Sequence, residues 1–131
     1  MAAFSNYLED QITGWIAGTS MTAPTATFVQ LYNGDPTDAG SGGTALFTRY
    51  QVASGSGSWT RGTGGNGTIT NASAFTITSS ATATASATHV AVWDASTAGN
   101  LLFFGALTTA KTVASGDEVK FNISALTLTV A

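Results

Sequence analysis

Apolar side chains near the start of the chain fall at three- and four-residue intervals: Phe4, Leu8, Ile12, Trp15 and Ile16. This spacing puts them on one side of a helix and predicts an amphipathic helix over residues 4–17. Glu9 and Asp10 lie early in it, where the positive end of the helix dipole favours carboxylates. Gly18 stands where the pattern stops and suits the left-handed turn that closes a helix. A helix this short is marginal alone, so its apolar stripe must dock. It packs either on a sheet of its own chain or, as an anchoring arm, on a partner.

From residue 26 the period changes to two. "ATFVQLY" (26–32), "ALFTRYQV" (45–52), "TITNASAFTIT" (68–78), "ATATASATHVAVWD" (81–94), "GNLLFFGAL" (99–107), "EVKFNI" (118–123) and "ALTLTVA" (125–131) read as strands. Alternation predicts Leu46 and Phe47 on opposite faces, and a half-buried final strand with Leu126, Leu128 and Val130 inward. Turn residues crowd "NGDPTDAGSGGT" (33–44). The stretch 53–67, "ASGSGSWTRGTGGNG", reads as a flexible Gly/Ser-rich loop interrupted by Trp59. Many short strands, one helix and no strand–helix alternation predict a mainly β fold. The expected architecture is one domain over 1–131: an antiparallel, jelly-roll-like β-sandwich with a helical segment at 1–20.

Composition narrows what such a sandwich does. Charged residues make up 8% of the 131 residues, far below the ~25% of an ordinary domain. A surface that is polar but barely ionic repels its neighbours weakly and suits a protein that spends its life assembled. The net charge is −3, and Arg49, Arg61, Lys111 and Lys120 are scattered. Without a basic stripe to neutralise a row of phosphates, no nucleic-acid partner is expected. The absence of cysteine removes disulfides, thiolate metal sites and thiol nucleophiles. No apolar run approaches the ~20 residues of a membrane span, and "MAAFSNYLED" is unlike a signal peptide. A soluble product made in a cytoplasm, with no membrane partner, is expected.

Candidate chemistry is sparse. "GTGGNG" (62–67) has the glycine spacing of a dinucleotide loop, but a strand pattern rather than a helix follows it. His89 is the only histidine and has no partner for a triad or a metal site; it reads as a polar residue on a sheet face. Asp35, Asp94 and Asp117 each sit in a turn, where an aspartate bonds its own backbone amides. "NGDPTDAG" lacks the regular oxygen spacing of a calcium loop. Asn66, Asn71 and Asn122 fit a glycosylation triplet by chance in a chain this rich in Ser and Thr. Trp93, in a strand, reads as core. Trp59 either tucks under its loop or anchors a contact with a neighbouring subunit. No catalytic residue, cofactor or metal site is expected.

Three segments, "MAAFSNYLEDQI", "LYNGDPTDAG" and "THVAVWDASTAGNLLFFGALTTAKTVASGDEVKF", resemble a family of small tailed-bacteriophage virion proteins. The part "WDASTAGNLLFFGALTTAKTV" is the most specific, and about 53–87 contributes little. The resemblance implies a non-catalytic β-sandwich present in many copies on the particle. The leading expectation is a capsid decoration (cement) protein. Such a protein binds the assembled shell of the major capsid protein and not the separated subunits, and so stabilises the shell. It would act as a homo-oligomer, dimer or trimer, located on the capsid surface of the virion. The contact residues expected are Phe4, Tyr7, Leu8, Trp15 and Trp59. The alternatives are a tail-fibre or tail accessory subunit, and a host-glycan-binding module using Trp59 or Tyr50. An enzyme is the weakest reading.

Overall fold

The computed structural model describes residues 2–53, 57–65, 67–80 and 83–130. The chain enters as a short strand, β1 (Ala2–Phe4), and then forms helix α1 (Asn6–Ile16). The helix starts later than its periodicity predicts because Ser5 caps it, its Oγ accepting the Leu8 N–H at 3.2 Å. Phe4 is therefore a strand residue, a correction to its expected place on the helix. Gly18 closes the helix as expected, with φ of 93°.

Strands then fold into two antiparallel layers. One is a six-stranded sheet in the order β1, β9 (Leu101–Val113), β8 (Ala85–Trp93), β2 (Ala26–Asn33) and β3 (Thr44–Ala45), with β4 (Tyr50–Ala53) also pairing along β2. The other is made of two ladders. β7 (Phe75–Thr78) pairs with β10 (Glu118–Phe121), and β6 (Thr68–Asn71) lies between β5 (Trp59–Arg61) and β11 (Thr127–Thr129). Val29, Leu31, Val90, Val92 and Leu102 of the first layer meet Phe75, Ile77, Val119, Phe121 and Leu128 of the second in one core. The fold is the expected β-sandwich.

The two ladders of the second layer are one long strand pair bent at Asn71. Thr70 pairs with Thr127 and Phe75 with Phe121, so residues 71–74 face the longer run 122–126. The surplus residue loops out around Ser124, which adopts a left-handed φ of 60°. Asn71, fully buried, repairs the broken ladder with its side chain. Its Oδ1 accepts the Leu126 N–H at 2.9 Å, and its Nδ2 donates to the carbonyls of Ser73 and Asn122, both at 2.8 Å. Residues 68–78 are thus two strands rather than the one that alternation predicts.

Two other expectations need correction. Residues 45–52 divide into β3 and β4, and Leu46 and Phe47, expected on opposite faces, are both core residues. Between those strands the Leu46 N–H donates to the Leu31 carbonyl at 3.0 Å. The Gln30 side-chain amide takes the Phe47 carbonyl at 2.7 Å. The backbone leaves the pleat there, so the two side chains escape the usual alternation. The second correction is the Gly/Ser-rich stretch 53–67, which contains β5 and forms a hairpin with β6; residues 54–56 and 66 lie outside the described residues. Trp59 makes β5 possible. It packs against the core, and its Nε1–H donates to Thr27 Oγ1 at 2.9 Å, tying the second layer to β2.

The outer face of the large sheet carries a second apolar cluster of Tyr32, Ala91, Trp93 and Leu101, flanked by Phe28 and Phe104. The 33–43 turn crosses it. A Cβ on Gly40 would lie 2.7 Å from Trp93 Cη2, and its φ is +69°, so both contact distance and backbone demand glycine. Gly40→Ala is expected to cost about 1–3 kcal/mol, read as a lower urea midpoint with an unchanged m-value.

Candidate functional site

The helix α1 has no buried residue. Its apolar stripe lies over the end of the sandwich without filling the space beneath it, leaving an open groove of about 1010 Å³. Phe4, Tyr7, Leu8 and Ile12 line one side, Met21 to Pro24 close the end, and Val92, Leu102, Ile69 and Leu128 form the floor. Trp59 stands in the wall, and Arg61 and Asp94 are the charged side chains of the lining.

Four of the five contact residues expected from sequence come together here: Phe4, Tyr7, Leu8 and Trp59 all line the groove. Phe4 is held by pairing with Phe103 of β9, the ring centroids 5.3 Å apart. Tyr7 packs against the core edge. Trp15 stands apart, 62% exposed, beside Ile16 at 75% and Met21 at 46%. It lines a separate shallow hollow with Gly18, Thr19, Ser20 and Met21. Met21 borders both spaces, so the groove and this apolar ridge form a continuous surface. Exposed apolar side chains gathered in one place, rather than scattered singly, are what a contact site presents.

The helix sits here because Ser5 fixes its start. Ser5 is buried; its N–H donates to the Leu102 carbonyl at 3.1 Å, and its hydroxyl donates to the Leu101 carbonyl. The Asn6 N–H adds a bond to the Asp38 carbonyl at 3.1 Å. All of these anchors lie at the N-terminal end, which leaves the C-terminal half of the helix exposed.

A polar cluster on the other face of the large sheet was not foreseen from sequence. The Arg49 guanidinium lies 3.8 Å from the centroid of the Trp93 ring. Its Nη1 donates to the carbonyls of Ala95 and Ala98, both at 2.7 Å, and its Nε to Gln30 Oε1 at 3.2 Å. The Tyr32 hydroxyl donates to the same Oε1 at 3.0 Å. Burial pushes the Tyr32 hydroxyl above its ordinary pKa against the pull of the Arg49 charge. Burial also lowers Arg49, opposed by Tyr32 and Asp94. The arginine stays charged at neutral pH and clamps the 94–100 turn. Asp94 locks that turn from within, accepting the Asn100 N–H at 2.6 Å and the Asn100 side-chain amide at 2.8 Å. The one sequence signal was a cation in the otherwise uncharged segment 45–52, and the structure places it between β3 and β4.

The remaining candidates have local roles. Asp35 accepts the Thr37 N–H and Asp117 the Ala114 N–H, both at 2.8 Å, as their turn positions predict. His89 is half-buried, with Nδ1 2.9 Å from Thr88 Oγ1. Asn71 is buried within the fold, whereas Asn122 is exposed; Asn66 lies outside the described residues. Tyr50 has one face covered by Phe75, stacked at 5.1 Å. Among the described residues no group of His, Cys, Asp or Glu is placed to hold a metal ion, and no helix is long and apolar enough to cross a membrane.

No curated protein matches the chain. A family model described as podophage GP4 fiber I protein gp80 matches residues 3–129, which includes α1, every lining strand of the groove and the clamped turn. The match agrees with the virion-protein resemblance carried by "WDASTAGNLLFFGALTTAKTV", and its description names a fiber rather than a capsid component. With nearly its whole length matched, the chain belongs to the podophage GP4 fiber I protein gp80 family of tailed-phage virion structural proteins.

Proposed function

We propose that the chain is a structural subunit of a virion fiber, working in several copies and joined to its neighbours through the α1 groove and the Trp15–Ile16–Met21 ridge. The observation that carries this reading is the surface itself. A helix with no buried residue holds a tryptophan and an isoleucine in solvent beside an open apolar groove. Exposing them costs hydrophobic free energy that contact with another protein recovers. The family's description supplies the word fiber. Sparse charge supports close repetition, since neighbouring copies repel weakly.

A second reading, decoration of the major capsid protein shell, uses the same surface and is favoured by the same low charge. Antibody labelling of intact particles separates the two. The fiber reading expects label confined to projecting fibers or their attachment points. Uniform label over the head replaces it with capsid decoration. In either case Trp15→Ala with Ile16→Ser should reduce incorporation into particles about tenfold, since a buried tryptophan anchor dominates a contact. Quantitative blotting of purified particles against total lysate reads the change. Both residues are exposed, so the isolated variant should unfold at the wild-type midpoint.

A further inference from the structure

We infer that the groove and the ridge are two halves of one self-complementary surface, through which two copies of the chain bind about a two-fold axis beside Met21. This rests on the reading above that groove and ridge join copies, and it names the occupant of the groove as the ridge of a second copy. Met21 lines both the groove and the hollow beside Trp15, so the concave and convex halves adjoin at one residue. A head-to-tail contact needs its two patches far enough apart for a different neighbour to sit on each. Here a neighbour seated in the groove also covers the ridge. A single contact buries both only if it is reciprocal, each copy laying its ridge on the other's groove.

The side chains on the two halves suit that exchange. The convex half is the last turn of α1, with Trp15 and Ile16 mostly in solvent. The concave half presents the half-buried Ile12, Trp59 and Ile69 and the exposed Val130, so it does not rely on the buried floor. Reciprocity counts each of these contacts twice.

Charge agrees with the shape. Glu9 and Asp10 are the charged residues of 1–24. No basic side chain in the last turn of α1 offsets the negative end of the helix dipole. Arg61 stands exposed in the groove wall, whereas Asp94, the other charge of the lining, is held by Asn100. The ridge of one copy therefore brings a negative helix end to the cation of the other.

Sedimentation velocity of the purified chain over a concentration series tests the pairing. A monomer–dimer equilibrium is expected, abolished by Trp15→Ala with Ile16→Ser. Arg61→Glu should raise its Kd about tenfold, since the reversed charge acts twice across the axis. The chain has no cysteine, so Met21→Cys supplies a single thiol beside the axis, and a short bismaleimide should link it to its own copy. Lys111→Cys, exposed on β9 and outside the groove lining, should stay unlinked. A wild-type chain that is monomeric up to about 1 mM overturns the proposal. So does a dimer that either variant leaves unchanged, or equal linking at the two cysteine positions. Species that grow beyond the dimer with concentration overturn the two-fold in favour of a head-to-tail contact. If the free chain is monomeric yet Trp15→Ala with Ile16→Ser still lowers incorporation into particles, the two-fold has failed and the proposed function stands.

Discussion

Replacing Asn71 with Ala is expected to destabilise the protein by about 3–5 kcal/mol, the largest effect of any single change considered. The side chain is fully buried, and at the bend of the second layer it stands in for the missing ladder bonds. Truncation strips the Leu126 N–H and the Ser73 and Asn122 carbonyls of a partner. The buried Leu126 N–H loses its partner at about 1–3 kcal/mol, the two partly buried carbonyls each add less, and the vacated volume adds to both, against a total stability of about 5–15 kcal/mol for a domain. Asn71→Asp separates hydrogen bonding from volume. The carboxylate still accepts from Leu126 but turns an oxygen towards two carbonyls in a buried site, so its folded-state pKa is raised above the unfolded value. A raised carboxyl pKa means that the folded state holds the proton more tightly. Stability is then highest below about pH 4 and falls as pH rises towards about 7. Urea midpoints across that range check the sign. An Asp variant whose stability rose relative to wild type with increasing pH would contradict the role given to the Nδ2 donors.

Arg49→Ala should cost about 2–4 kcal/mol. The guanidinium stacks on Trp93, a contact of about 0.5–2 kcal/mol. It also donates to the Ala95 and Ala98 carbonyls, and hydrogen bonds from a charged group are worth about 1.5–3 kcal/mol each, reduced here because part of the site is exposed. The loss should be local as well as global. Ala98 holds a φ of 49° without being glycine, a strained conformation that the arginine helps to fix. Amides of 95–100 should therefore exchange faster in Arg49→Ala, while those at the centre of β8 keep their order of protection. Arg49→Lys retains the charge but not the planar fork, and should recover less than half of the loss. Full recovery by lysine would mean that charge alone holds the turn.

Much of the fold was readable residue by residue. Alternation located β10 and β11, because a strand with one buried face must repeat every two residues, whereas β2 and β8, buried on both faces, were readable as runs rich in apolar residues. The aspartates at 35, 94 and 117 were readable as turn residues because each bonds its own neighbourhood. What was misread follows a common physical pattern. Phe4 continues the helical spacing, yet Ser5 caps the helix after it. Leu46 and Phe47 look alternating, yet bonds to Leu31 and Gln30 take the chain out of the pleat. Asn71 sits in an unbroken strand pattern, yet its side chain replaces the ladder. In each case a hydrogen bond from a residue distant in the chain, or from a cap, overrides a local period.

The site divides in the same way. Phe4, Tyr7, Leu8, Trp15 and Trp59 were recognisable as large apolar residues near an end of the chain or in a Gly-rich stretch, where a core does not obviously claim them. That they fall into a groove with Trp15 outside it depends on β1 pairing with β9 and on Trp59 bonding to Thr27. The Arg49 clamp left only a lone cation as its local signature, because its partners come from β2, β8 and the turn beyond it. Composition and short-range period, properties of neighbouring residues, determined by themselves that the chain is a weakly charged antiparallel β-sandwich with an amphipathic helix. Which side chains share a surface, where strands bend and what the helix leaves uncovered were decided only by tertiary structure, since those depend on contacts between residues far apart in the chain, whose geometry no local pattern encodes.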